Sequence, residues 1–305
     1  MRAIVYRQYG GPETLELAEV PEPKVGPDSV LVAVRAASVN PVDWKLREGY
    51  LDGMLDTFFP ATPGWDLAGV VESTGVSVPE FTAGDEVIGY ARKDIVRDGT
   101  YAEKVAAPVR ALARKPSNLS WTQAAGLPLA GLTAYQSLRA LRLTAEDTLV
   151  VHAAAGGVGS LAVQLARDTG ARVIGTASER NHDYLRSLGA EPVSYGEGLP
   201  DRLREAGPVT AAFDTVGGEA VRVTRELGVP AERIVSVADP GVLEFGGSYV
   251  FVRPDPADLA ALVELAEAGR LTVEVAETFP LEKAADAQRR SAEGHTRGKI
   301  AIEIS

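Results

Sequence analysis

The sequence predicts an α/β protein of two domains, one β-rich and barrel-like, the other a doubly wound parallel sheet. Three observations predict it. Short strand-like runs divided by Gly, Pro and Asp clusters fill about the first hundred residues, alternating strands and helices begin at residue 122, and residues 148–162 run from a strand through a glycine turn into a helix. A chain of 305 residues can hold two cores, and 45% hydrophobic with 24% charged residues is ordinary for a globular protein.

In the first part, strands are expected at 3–7, 30–37, 67–73, 85–91 and 101–106, punctuated by Gly10-Gly11-Pro12, Pro21-Glu22-Pro23 and Gly84-Asp85. Few helices fit there, although Asp43 is placed to cap a short one over Trp44-Lys45-Leu46-Arg47. A helix is expected at 122–141. Strands near 149 and 173 and at 210–214 and 233–237 then alternate with helices, the pattern of a parallel sheet, with 249–252 as its last strand. Amphipathic helices at 256–268 and 281–293 and a strand at 299–304 close the chain.

Residues 148–162 carry the most chemistry. Thr148-Leu149-Val150-Val151 reads as a strand buried on both faces, and the small residues that follow let backbone N–H groups approach a pyrophosphate at the positive end of a helix. In the fingerprint G-x-G-x-x-G the second and third glycines are Gly156 and Gly159, while Ala154 takes the first position. Ala155, Gly156, Gly157, Val158 and Gly159 are therefore candidate dinucleotide contacts; the alternative is an ordinary glycine turn. Gly170 ends the helix, and 171–177 supplies the next strand. Ligands of such sheets lie at the carboxyl ends of the strands, which adds Thr215, Val216 and Gly217 after the fourth strand and Ala238 after the fifth. Plain core packing is the alternative for Val216 and for Phe251.

Charge narrows the partners. With 31 Lys and Arg against 42 Asp and Glu, the net charge of -11 offers no global basic field for nucleic acid or an anionic membrane. No apolar run reaches bilayer length and the first residues lack a signal-peptide core, so a cytoplasmic location is expected. The chain has no cysteine, which removes disulfides and the usual soft zinc ligands and leaves His152, His182 and His295 as imidazoles.

Several ordered motifs together resemble the medium-chain dehydrogenase/reductase superfamily, in its zinc-independent quinone oxidoreductase branch, the zeta-crystallin-like proteins. They are 37–43 (Ala-Ser-Val-Asn-Pro-Val-Asp), 63–71 (Pro-Gly-Trp-Asp-Leu-Ala-Gly-Val-Val), Gly84-Asp85-Glu86-Val87, Gly99-Thr100-Tyr101-Ala102-Glu103, Gly131-Leu132-Thr133-Ala134, the phosphate turn, 214–218 and Arg297-Gly298-Lys299. The resemblance implies a GroES-like β-barrel catalytic domain over 1–122, completed by 253–305, around a Rossmann domain over 123–252, with the active site in the cleft between them. Zinc-dependent relatives carry Cys after the third strand and Gly-His-Glu after the next loop; here Asn40 to Asp43 and Gly64-Trp65-Asp66 stand instead, so no metal is expected.

The resemblance also implies roles. Asn40 would face nicotinamide and substrate, and Thr133 would lie near the nicotinamide amide. Tyr50 and Lys45 are candidate proton donors, though neither is at the family's spacing. Asp43 and Trp65 would border the substrate, with a helix cap and core packing as their respective alternatives. Ser178 and Arg180 would surround a 2′-phosphate with Tyr195 beside the adenine, which favours NADPH, and Glu179 would point to solvent. Phe251 and Val252 would flank the nicotinamide, and Arg297 or Lys299 would reach the cofactor phosphates or else be solvated. The expected activity is NADPH-dependent hydride transfer to a quinone or similar conjugated carbonyl. The alternatives are reduction of an enoyl or alkenal C=C bond and, from another class, a non-catalytic nucleotide-binding protein. An apolar last strand at 249–252 needs cover, which predicts a homodimer.

Overall fold

Eleven residues from Ser29 to Val39, eight of them buried, form the longest strand and organise the first unit of the molecule. The structure is a computed structural model that describes all residues from Met1 to Ser305. It divides into two units, Met1–Leu129 with Pro254–Ala268 and Val273–Ser305, and Ala130–Arg253 with Gly269–Thr272.

In the first unit a seven-stranded sheet runs in the order Val275–Pro280, Lys299–Glu303, Ser29–Val39, Asp66–Thr74, Glu86–Tyr90, Leu112–Arg114. Lys104–Pro108 pairs with the beginning of Ser29–Val39. The register sets Ser38 opposite Asp66 and Val39 opposite Ile300, so residues far apart in sequence meet at one end of the sheet. Val30, Val32, Val34, Leu67, Val71, Val87, Ile300 and Ile302 fill the core that these strands share. Two small sheets complete the unit, Arg2–Val5 with Glu16–Glu19 and Thr57–Thr62 with Val96–Asp98. The strand expected at 101–106 begins only at Lys104, because Tyr101 and Ala102 reach across to other segments, the latter through a single bridge to Ala3.

The helix expected at 122–141 is two helices, Trp121–Ala125 and Pro128–Leu141. Pro128 lacks the N–H that a continuous helix needs and disfavours helical geometry at Leu127, while it suits the first position of a new helix. Ser120 caps the first of the two by accepting from the Gln123 N–H.

The second unit is a six-stranded parallel sheet in the order Glu191–Ser194, Arg172–Ala177, Thr148–Val151, Ala211–Asp214, Ile234–Ser236, Ser248–Tyr249. Chain order reverses between Thr148–Val151 and Ala211–Asp214, which makes the carboxyl ends of those two strands the natural place for a ligand. Val150, Ile174, Ala212 and Ile234 are buried together in its core. The last strand is only Ser248–Tyr249, not 249–252; beyond it Val252 is buried and Phe251 half-buried outside the ladder.

Candidate active site and cofactor cradle

A short helix, Pro41–Arg47, leaves the long strand with Asn40 as its N-cap and Pro41 at its first position. Asp43 is therefore not the cap; it sits one turn in, and its Oδ2 accepts the Asn40 backbone N–H at 2.8 Å, the backward half of a capping box. The Asn40 side chain is held between two charged groups. Its Nδ2 donates to Asp66 Oδ2 at 2.8 Å, and its Oδ1 accepts from Lys299 Nζ at 2.5 Å. Asp66 also accepts from the Ser38 hydroxyl and from the Leu129 N–H, both at 2.7 Å, and Lys299 Nζ lies 3.9 Å from its Oδ2.

Lys299 thus has neither of the positions expected for it, on cofactor phosphates or in solvent. It is only 5% exposed. The sheet register explains this, because Lys299 immediately precedes Ile300, the partner of Val39, and so falls beside Asn40. Burial lowers the Lys299 ammonium and raises the Asp66 carboxyl, and the opposite charge of each resists the shift in the other.

Asp43 is fully buried, and burial pushes its carboxyl up to about 7 against the donors from Asn40 and Tyr101. The Tyr101 hydroxyl donates to Asp43 Oδ2 at 3.0 Å, while Asp43 Oδ1 has no hydrogen-bond partner. An unpartnered oxygen favours the protonated acid further. Beside this group Trp65 packs edge-on against Tyr90 and lines a shallow depression with Tyr6, Leu46, Ile95 and Val96. Trp65 is both core and wall.

Asn40, Asp43 and Trp65 are thus gathered by the strand ends, whereas Tyr50 is not. It lies on an exposed turn after the helix, 69% exposed and edge-on to Trp44, with the Lys45 ammonium 5.6 Å from the centre of the same indole. Lys299 and Asp66 are the members of this site that motif reading did not assign to it. The available signal was the adjacency of the final strand to Ser29–Val39, which a linear sequence does not display.

In the second unit the turn after Thr148–Val151 leads into the helix Gly157–Asp168, with Gly156 as its N-cap. The left-handed residue of this turn is Ala153, φ 51°, the residue before the fingerprint's first position. A Cβ on Gly159 would lie 2.4 Å from the Ala153 carbonyl oxygen and 2.7 Å from Ala154 Cα, so only glycine permits this approach of helix to strand. Gly175 in the next strand does the same for the Ala154 methyl, where an added Cβ would come within 2.8 Å. The cradle therefore has the shape and the helix N-terminus that a pyrophosphate requires.

After Ala211–Asp214, the Asp214 carboxylate accepts the N–H groups of Val216 and Gly217 and the Ser236 hydroxyl, fixing this loop. Thr215 donates to the His152 carbonyl oxygen, tying the loop to the phosphate turn. Val216 is 59% exposed, which excludes the core alternative for it, and half-buried Phe251 is not core either. Burial holds the His152 imidazole down at about 4 while its Nε2 bonds the Thr224 hydroxyl. Ser178 and Arg180 follow the end of Arg172–Ala177, with Glu179 and Arg180 both exposed. Tyr195 is also exposed, Ala238 donates its N–H to the Ser236 hydroxyl, and Thr133 is buried in Pro128–Leu141. Arg297 belongs to the first unit, where its guanidinium pairs with Glu274 at 2.8 Å.

Two family descriptions match the chain, the alcohol dehydrogenase GroES-like domain over residues 26–117 and the zinc-binding dehydrogenase over residues 188–302. The NADPH-dependent alkenal/one oxidoreductase of Arabidopsis thaliana chloroplasts is 35% identical across 99% of this chain and 79% of its own. The chloroplast envelope quinone oxidoreductase homolog of the same plant is 32% identical over 99% and 98%. The solved quinone oxidoreductase of Coxiella burnetii covers 100% of this chain and 99% of its own at 34% identity, with a TM-score of 0.89.

This chain belongs to the medium-chain dehydrogenase/reductase superfamily, in its quinone oxidoreductase branch. It has the family's GroES-like domain and Rossmann domain and binds a nicotinamide cofactor. The zinc of the second family's description does not fit this chain. No three His, Cys, Asp or Glu side chains come together as a ligand set, and the one carboxylate at the position, Asp66, is already engaged by Ser38, Asn40, Leu129 and Lys299.

Proposed function

We propose that this member of the family is an NADPH-dependent reductase of quinones or similar conjugated carbonyls. The observation that carries the reading is the Asn40 amide, buried and flanked by charged groups where a metal-dependent relative would need ligands. Bound NADPH supplies the hydride. The chain's own task is to orient a carbonyl, and Asn40 retains one N–H and one lone pair beyond those used by Asp66 and Lys299. A single neutral donor polarises a carbonyl far less than a metal ion does, so the substrate must be electrophilic already, as a quinone or enone is. Hydride transfer leaves the hydroquinone monoanion, and a single proton, which solvent can provide, completes the reduction.

Ser178 and Arg180, at the end of the second strand of the Rossmann sheet, support NADPH over NADH, since a guanidinium binds a 2′-phosphate through paired, charge-assisted hydrogen bonds. Thr133 is assigned to the nicotinamide amide, and Thr215, Val216, Gly217, Ala238, Phe251 and Val252 to the face of the cofactor. A C=C reductase is the second reading, favoured by the relative named for alkenals and alkenones. NADPH oxidation with a soluble naphthoquinone, with an enone and with no acceptor tests both. Quinone turnover supports the first reading, turnover of the enone alone the second, and tight NADPH binding without turnover overturns both. We further infer a homodimer, formed at the Ser248–Tyr249 edge of the sheet.

A further inference from the structure

The Asn40 side chain sits between an ammonium and a carboxylate that come from opposite ends of the chain. Lys299 Nζ lies 2.5 Å from Oδ1 and Asp66 Oδ2 lies 2.8 Å from Nδ2, and all three residues are buried. Rotating the amide by half a turn would set its oxygen against the carboxylate and its NH2 against the ammonium. Both contacts would then be repulsive, in surroundings that screen charge poorly. Each flanking charge is itself held, Lys299 by the Val39 carbonyl at 3.4 Å and by Asp66, and Asp66 by Ser38 and the Leu129 N–H.

We propose that Lys299 is a positioning residue for Asn40, fixing which atom of the amide is offered to substrate and cofactor. This rests on the role given to Asn40 above. The amide keeps one orientation through turnover, its free N–H always on the same side. Lys299 transfers no proton and touches no substrate; it removes the flipped amide from the ensemble. Asp66 alone would still accept from Nδ2, but without the ammonium the oxygen side loses its partner and the amide gains a second state.

Removing Lys299 alone leaves Asp66 buried without its counter-charge, so the informative variant neutralises both groups, Asp66→Asn with Lys299→Met. It is compared with Asn40→Ala and with the triple variant, reading kcat and KM with NADPH and a soluble naphthoquinone. Loss of orientation predicts a kcat about tenfold lower with the NADPH KM within about twofold, as misplacement of one reacting group does. Adding Asn40→Ala should then cost less than it costs the wild type. Losses that multiply would show that the pair supports the fold independently of Asn40, and would overturn the proposal. A second readout needs no turnover. In protein labelled with 15N-asparagine, the Asn40 side-chain protons should exchange slowly in the wild type and quickly in the neutralised pair, and equal exchange in both overturns the proposal. If the neutralised pair does not fold, an alkaline titration of the wild type followed through 13Cε-lysine decides. The Asn40 side-chain 15N resonance must move as Lys299 loses its proton, and a resonance that ignores that titration overturns the proposal. A wild type that reduces neither quinone nor enone overturns the functional reading alone, and the NMR readouts still decide the link between Lys299 and Asn40.

Discussion

Burial raises the Asp43 carboxyl to about 7 inside the first unit, and this has a thermodynamic consequence. The folded chain holds that proton more tightly than the unfolded chain, whose aspartates titrate near about 3.9. The stabilisation is therefore complete below about pH 4 and is lost as pH rises through about 7. Relative to Asp43→Asn, the wild type should lose up to about 1.4 kcal/mol of unfolding free energy per pH unit across that window. Urea unfolding of both proteins between these pH values measures it, and parallel curves would show that Asp43 is ionised when folded. On the cofactor side, Arg180→Ala should weaken NADPH binding by roughly 1.5 kcal/mol or more and leave NADH nearly unaffected, the range for hydrogen bonds to charged groups. Ser178→Ala should do the same more weakly. The ratio of kcat/KM for the two cofactors reads both variants; equal losses would assign Arg180 to the fold instead.

At the level of the elements, the phosphate turn works because a helix start is pressed against a strand end. Gly159→Ala places a methyl 2.4 Å from the Ala153 carbonyl oxygen, so the helix Gly157–Asp168 must move outward. Overpacking of this kind costs about 1–3 kcal/mol, and NADPH affinity should fall by at least about tenfold. At Gly156 the nearest atom is 3.3 Å away, so Gly156→Ala should be milder. Calorimetry and fluorescence titration of the two variants check the order, and an equal effect at both positions would refute it. This turn was legible in the sequence because all of its parts are consecutive. The buried group around Asn40 was only half legible. Asn40, Asp43 and Trp65 sit in local motifs, but Lys299 reads as a polar residue after a glycine until the register of the final strand against Ser29–Val39 buries it. The uninterrupted helix expected at 122–141 failed for a local reason, since the apolar pattern continues through Pro128 while the backbone cannot. The last strand is shorter than expected because pairing ends with the Val250 N–H on the Ser236 carbonyl oxygen, and Phe251 and Val252, half-buried and buried, lie beyond the ladder.

For the molecule as a whole, activity should survive exhaustive chelation, since Asp66 is already engaged and Trp65 offers no ligand atom. Elemental analysis finding one zinc per chain, with activity lost on its removal, would refute this. Light scattering at micromolar concentration should give twice the chain mass of 32.2 kDa, although an edge strand of two residues leaves few groups unpaired and makes a weaker demand for a partner than a longer one would. The place of the final strand also bears on how this protein is made. Lys299–Glu303 lies between Val275–Pro280 and Ser29–Val39, so the long strand lacks this neighbour until synthesis has passed residue 303. The parallel sheet of the second unit has all of its strands by Tyr249 and can form first. Nascent chains stalled once residue 253 has emerged from the ribosome, but before residue 299 has, should therefore resist protease over 130–253 while 29–39 stays cleavable. The unit built on Ser29–Val39 would then be completed after the parallel sheet.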